Sequence, residues 1–165
     1  MSAYSVPNQF AGLVLWFIVC FAASAIGALA SVQARSFYQQ LTQPAWAPPG
    51  WVFGPVWTIL FAFMAIAVWL VWRNGGFQPN RTALTVFFIQ LGFNALWSWL
   101  FFAWNLGMMA FIEVLILWLF ILATLVLFWR KSKLAGALFM PYLLWVSFAA
   151  ALNYSLWQLN PLILG

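Results

Sequence analysis

Three sets of side chains at four-residue spacing carry the chemistry this sequence offers: Gln90, Asn94 and Ser98; Trp145, Ala149 and Asn153; Phe53, Trp57 and Phe61. Spacing of four puts the members of each set on one helix face. Trp97 and Phe101 extend the first face, and Tyr142 lies one turn from Trp145. Amides set among indole and phenyl rings suit a flat apolar ligand, which stacks on the rings and offers its polar edges to the amides. The same residues do not suit hydrolysis. The sequence has no His, one Cys (Cys20) and one acidic residue (Glu113). It therefore cannot assemble a zinc site of His, Cys and carboxylate ligands, a Ser-His-Asp triad or a two-carboxylate mechanism. No P-loop is present either. No catalytic residue, metal site or required cofactor is expected, and conventional enzyme activity is disfavoured.

The elements that hold these residues are set by the solvent. Of the 165 residues, 67% are hydrophobic and 4% charged, with mean hydropathy +1.01. A soluble domain carries about 25% charged residues, so this chain cannot cover a water-facing surface and the lipid bilayer must surround it. A spanning helix takes about 20 apolar residues. The expected fold is all-α: a single membrane domain over 1–165, with transmembrane helices at 10–31, 51–72, 82–104, 108–129 and 134–158. The 13 Trp residues exceed what interfacial belts use. Ala23 and Gly27 in the first span form a small-xxx-small pair that admits a close helix neighbour. Ala28-Leu29-Ala30 resembles a signal cleavage site, but no Lys or Arg precedes Arg35, so the basic n-region is missing.

The long connection, 32–50, holds Pro44, Pro48 and Pro49. Proline fixes φ and biases the preceding residue away from helix, so Ala47-Pro48-Pro49-Gly50 should run extended and then turn. It reads equally as a stiff lid over the bundle or as a rigid connector. Pro55 suits the first turn of its helix, and Pro141 should kink the last one. The net charge of +5 indicates topology rather than nucleic-acid binding. Arg73, Arg81, Arg130, Lys131 and Lys133 lie in the second and fourth connections, and only Arg35 in the first. The positive-inside rule assigns those two connections and the N-terminus to the cytoplasm, in a bacterial source at the inner membrane.

Depth brings the sets together. At ~1.5 Å per residue, Trp57 lies roughly 9 Å below the 32–50 side, Ala149 about 12 Å, Asn94 roughly 15 Å, Trp145 roughly 18 Å and Glu113 roughly 8 Å. Groups from four helices thus converge beneath the proline-rich loop, with Ala149 leaving space between bulky rings. Each has a second reading: the Trp residues as packing or interface anchors, Asn94 and Gln90 as interhelical hydrogen bonders, and Glu113 as a headgroup-solvated acid. Cys20 reads as a small apolar filler.

The segment Phe37-Tyr38-Gln39-Gln40-Leu41-Thr42-Gln43-Pro44-Ala45-Trp46-Ala47-Pro48-Pro49-Gly50-Trp51-Val52-Phe53-Gly54-Pro55-Val56-Trp57 resembles the first-loop signature of the TspO/MBR family, which includes tryptophan-rich sensory proteins and the translocator protein. Gln90-Leu91 with Asn94 and Trp97, and Pro141-Tyr142-Leu143-Leu144-Trp145 through Leu152-Asn153-Tyr154, agree in order. The resemblance implies a five-helix bundle, often a homodimer, that binds porphyrins such as protoporphyrin IX. It implies a receptor or transporter in tetrapyrrole sensing, transport or stress regulation. Light-dependent porphyrin degradation and a scaffold acting through helix contacts are the alternatives. By motif the ligand-binding residues are Tyr38, Trp46, Trp57, Asn94, Trp145 and Ala149, with Trp97 on the same face as Asn94. Tyr38 and Trp46 come from the resemblance alone. Phe37 stands where the family usually has Trp, and Gln43 replaces a common basic residue, removing one partner for a porphyrin propionate. Tyr154 is followed by Ser155, Leu156, Trp157 and Gln158, so the basic end of the mammalian sterol motif is absent and sterol binding is not expected.

Overall fold

The computed structural model describes residues 6–165; residues 1–5, whose side of the membrane the charge pattern assigns, lie outside the described residues. The regular elements among the described residues are all helical: α1 (Val6–Ala30), α2 (Ala34–Gln40), α3 (Phe53–Trp72), α4 (Arg81–Ser98), α5 (Gly107–Lys131), α6 (Lys133–Leu159) and α7 (Pro161–Leu164). Five segments are long and apolar enough to cross a membrane: Asn8–Ala30, Gly50–Trp72, Gln78–Ala103, Gly107–Lys131 and Lys133–Leu159. These are the five expected spans, with ends shifted by a few residues. The 32–50 connection departs from expectation by carrying α2. Its proline stretch is extended, Pro49 lying at φ −64° and ψ 145°, before a 3-10 turn at Gly50–Val52 leads into α3. Helix α6 runs unbroken through Pro141, whose lost amide bond does not end the helix.

α5 and α6 form the tightest pair, α4 packs on α5, α1 packs on α3 and α4, and α3 packs on α6. Their shared core is apolar, with Val68, Leu84, Phe87, Ile121, Phe128 and Phe139 fully enclosed. Phe87, Phe128 and Phe139 stack and cross at 5.2–6.3 Å between centroids. Cys20 sits in this core as an apolar filler.

Each connection shows why it is short. Ser132 alone separates α5 from α6. Its backbone is extended, and its hydroxyl caps α6 by accepting from the amide of Ala135 at 3.3 Å. The hairpin closes because Gly136 lets Trp129 lie directly on it: a methyl there would fall 2.7–2.8 Å from Trp129 atoms, backbone Cα included. After α3, Gly75 and Gly76 take positive φ (96° and 77°). Asn80 then donates to the carbonyls of Val71, Asn74 and Gly76 at 2.9–3.1 Å, satisfying acceptors that a helix end leaves open. Lys131 donates to the Pro79 carbonyl at 3.0 Å, so the two basic connections meet at one end of the bundle. At the other end, α4 widens into one π turn, Trp99–Ala103. Asn105 then reverses the chain at φ 55°, a left-handed conformation that Asn tolerates better than most side chains.

The close approach anticipated in α1 is present. A methyl at Gly27 would lie 3.2 Å from Ser98 Oγ of α4, and Trp99 Nε1 donates to the Ile26 carbonyl at 3.2 Å.

Gly136→Ala should lower stability by about 1–3 kcal/mol, as overpacking does, seen as a reduced Tm in detergent. Gly92→Ala, where nothing lies within 4 Å of the added methyl, should leave Tm unchanged or raise it, since Ala favours helix. Equal melting of both variants would contradict the close α5–α6 contact.

Candidate ligand cavity

A cavity of about 450 Å³ opens at the α2 end of the bundle, within the range of small-molecule sites. Among the described residues its far wall is aromatic: Phe53, Trp57 and Phe61 from α3, Trp97, Phe101 and Phe102 from α4 and its π turn, and Trp145 from α6. Ala149 of α6 leaves the space between Trp145 and the polar pair of Asn94 and Asn153, all of which line the cavity. The near wall is small and polar, from Ser24, Gly27 and Ala28 of α1 and Ser31 just after it, with Arg35 and Tyr38 of α2 at the mouth.

The rings are held largely edge to face. Trp145 meets Phe53 at 5.9 Å and 64°, Phe53 meets Tyr38 at 5.4 Å and 79°, and Trp57 meets Tyr142 at 6.1 Å and 72°. Trp97 stacks on Phe101 at 5.4 Å and 11°, while Phe102 meets both edge-on. Consecutive Phe101 and Phe102 both reach the cavity across the π turn, a device often found at functional sites.

Behind this wall the polar groups form a chain. Asn94 Nδ2 donates to the Tyr142 hydroxyl at 2.7 Å, and that hydroxyl donates to Gln90 Oε1 at 3.0 Å. Gln90 and Tyr142 are fully buried, and Gln90 does not line the cavity: of its two readings, the interhelical hydrogen bond is the one realised. Because the single Tyr142 proton goes to Gln90, Asn94 must present its NH2 to Tyr142. Its Oδ1 is left as an acceptor with no donor among the described residues. Trp97 Nε1 donates to Asn153 Oδ1 at 3.0 Å, and Asn153 Nδ2 donates to the Gly107 carbonyl at 3.1 Å. These bonds fix the plane of Trp97.

The connection above the cavity is tied at three points. The Tyr38 hydroxyl donates to the Pro48 carbonyl at 2.9 Å and Gln43 Nε2 donates to the Tyr38 carbonyl at 2.6 Å. Burial pushes the Tyr38 phenol above its ordinary pKa, keeping it a donor. Asn160 grips Thr42 like a neighbouring strand, accepting from its amide at 2.7 Å and donating to its carbonyl at 2.9 Å. These bonds fit a lid and a rigid connector alike; from this connection it is Ala34, Arg35, Tyr38 and Gly50 that line the cavity.

The sequence-derived set is thus mostly gathered: Tyr38, Trp57, Asn94, Trp97, Trp145 and Ala149 all line the cavity. Trp46 does not. It is half exposed and crosses Phe148 at 5.7 Å and 72°, and Phe148 in turn lies on Trp145. Tyr38 offers no free hydroxyl proton, since Pro48 takes it. The expected contribution of the fourth span is also revised. Glu113 of α5 is buried rather than solvated, and neither carboxyl oxygen has a hydrogen-bond partner among the described residues. From α5, Val114 and Leu117 line only a water-sized void behind Trp57 and Ala149. Helix α1 takes its place in the wall. Its Ala, Gly and Ser residues gave a packing signal in the sequence, and the same small side chains make room for the cavity.

The profile of the TspO/MBR family matches residues 16–158. The chain is 39% identical over 157 residues to "Tryptophan-rich protein TspO" of Chlorobaculum tepidum, covering 93% of this chain and 99% of that protein. It is 37% identical over 150 residues to "Protein CrtK" of Rhodobacter capsulatus, covering 89% and 91%. Similarity to the human "Translocator protein" is 36% over 126 residues, 75% of each chain.

Two stability tests follow. Asn160→Ala should speed amide hydrogen exchange across 42–49 with little change in α3, because it unties Thr42; uniform protection would mean that this connection is held elsewhere. Glu113→Met should raise Tm, reflecting about 1–3 kcal/mol of relieved desolvation of an unpartnered polar group. A fall in Tm would show that the carboxyl makes a stabilising interaction in the folded protein.

Proposed function

The chain belongs to the TspO/MBR family of multi-pass membrane proteins, and from that premise we propose that it is a receptor or transporter-like protein for porphyrins and similar flat hydrophobic ligands. The observation that carries this reading is the cavity itself. A 450 Å³ space is walled by Trp57, Trp97 and Trp145, with Asn94 among its polar lining residues. A porphyrin has two broad apolar faces for the indoles, each contact adding about 0.5–1.5 kcal/mol beyond burial. The chain has no His, so a metal-free porphyrin is favoured over a haem that needs strong axial ligation. The cavity opens away from the basic connections, which the positive-inside rule assigns to the cytoplasm; ligand therefore enters from the outer side or from the outer half of the bilayer. The designation "Translocator protein" of the human relative fits a ligand-carrying role.

Titration of the purified protein with protoporphyrin IX should quench tryptophan fluorescence saturably. Trp145→Ala and Trp57→Ala should each weaken binding about 3- to 10-fold, the scale of one aromatic contact. Affinity unaltered in both variants would place the ligand elsewhere.

A further inference from the structure

We infer that Arg35 makes the cavity selective for ligands bearing a carboxylate, by pairing its guanidinium with that group at the mouth. The inference rests on the porphyrin reading above and specifies which edge of the ligand faces outward.

Three observations lead there. Arg35 is the one charged residue among those lining the cavity. Its place is unusual for this chain, since the other five basic residues, Arg73, Arg81, Arg130, Lys131 and Lys133, all lie in the two connections at the opposite end. Topology gives a reason for those five and none for Arg35. Finally, the guanidinium has no ion-pair partner among the described residues. The single acidic side chain, Glu113, is buried in α5.

The local geometry holds the side chain where a ligand would meet it. Arg35 and Tyr38 are three residues apart on α2, so they share a face. They flank Gly50: a methyl there would lie 3.5 Å from the Tyr38 ring and 4.0 Å from Arg35 Cγ. The apolar stem of Arg35 therefore rests beside the aromatic rim while its head is exposed to water. Arginine presents a planar fork of donors that matches a carboxylate in a bidentate pair. Protoporphyrin IX carries two carboxylates on one edge of an otherwise apolar ring. With the ring among Trp57, Trp97 and Trp145, that edge stands at Arg35. This also answers the loss of a basic residue at Gln43: Gln43 spends its amide on the Tyr38 carbonyl, and the cation is supplied from α2 instead.

The test compares protoporphyrin IX with its dimethyl ester, which keeps the ring and removes both charges. Binding is read by tryptophan quenching in a non-ionic detergent, where no lipid phosphate competes. The wild type should bind the acid roughly fivefold more tightly than the ester, the scale of a well-formed but water-exposed pair, and added salt should shrink that gap. In Arg35→Gln the gap should close through weaker binding of the acid, with the ester unaffected; Arg35→Lys should keep part of it. Equal affinities for acid and ester in the wild type would overturn the inference while leaving porphyrin binding intact, as would a gap that survives Arg35→Gln. Failure of both ligands to quench would overturn the porphyrin reading itself, and this inference with it.

Discussion

A bilayer offers no hydrogen-bonding partners, so each polar side chain inside the helices must find one within the chain or bear a desolvation cost of several kcal/mol. The interior of this protein is organised by that requirement. Tyr142 joins α4 to α6 by accepting a hydrogen bond from Asn94 and donating one to Gln90. Asn153 joins α6 to both α4 and the start of α5. Asn80 closes the end of α3. The buried groups left without a partner among the described residues are informative for the same reason: both carboxyl oxygens of Glu113, the amide oxygens of Asn80 and Asn105, and the indole N–H groups of Trp16 and Trp145, the last in the cavity wall.

The cavity depends on this framework more than on its aromatic lining. Indole and phenyl rings fill space unless something holds them apart, and here their edges are fixed by polar anchors. Trp97 is pinned by Asn153 and Tyr38 by Pro48. Trp57 rests edge-on against Tyr142, which is itself held from both sides. Ala149 opposite them has no side chain long enough to cross the gap. An aromatic-rich bundle therefore keeps an open cavity of 450 Å³ where hydrophobic packing alone would close one.

What the sequence disclosed follows from which signals are periodic. The five spans were legible because hydropathy over about 20 residues is a strong, additive signal. Four-residue spacing placed Asn94, Trp97, Trp57, Trp145 and Ala149 on inward faces, and the cavity lies where those faces meet. Three features escaped. The π turn at Trp99–Ala103 depends on a single shifted hydrogen-bond register that no residue type announces. α2 is too short, at seven residues, to show a period within a loop dominated by its prolines. The exchange of α5 for α1 in the cavity wall was hidden because small residues signal close packing, and the same small residues leave room where a neighbour stands back. For Glu113 a depth along the axis does not say which way the side chain points.

The grip of Asn160 on Thr42 has a practical side. It lies between α6 and α7, where Leu164 of α7 is itself buried against Gly107. The α6–α7 junction and the connection that carries the cavity residues Arg35 and Tyr38 are therefore joined, although 118 residues separate Thr42 from Asn160. A purification handle or fluorescent reporter attached after Gly165 would pull directly on the entrance. The same label in the connections around Gly75 or Ser132, at the opposite end of the bundle, would leave the entrance undisturbed.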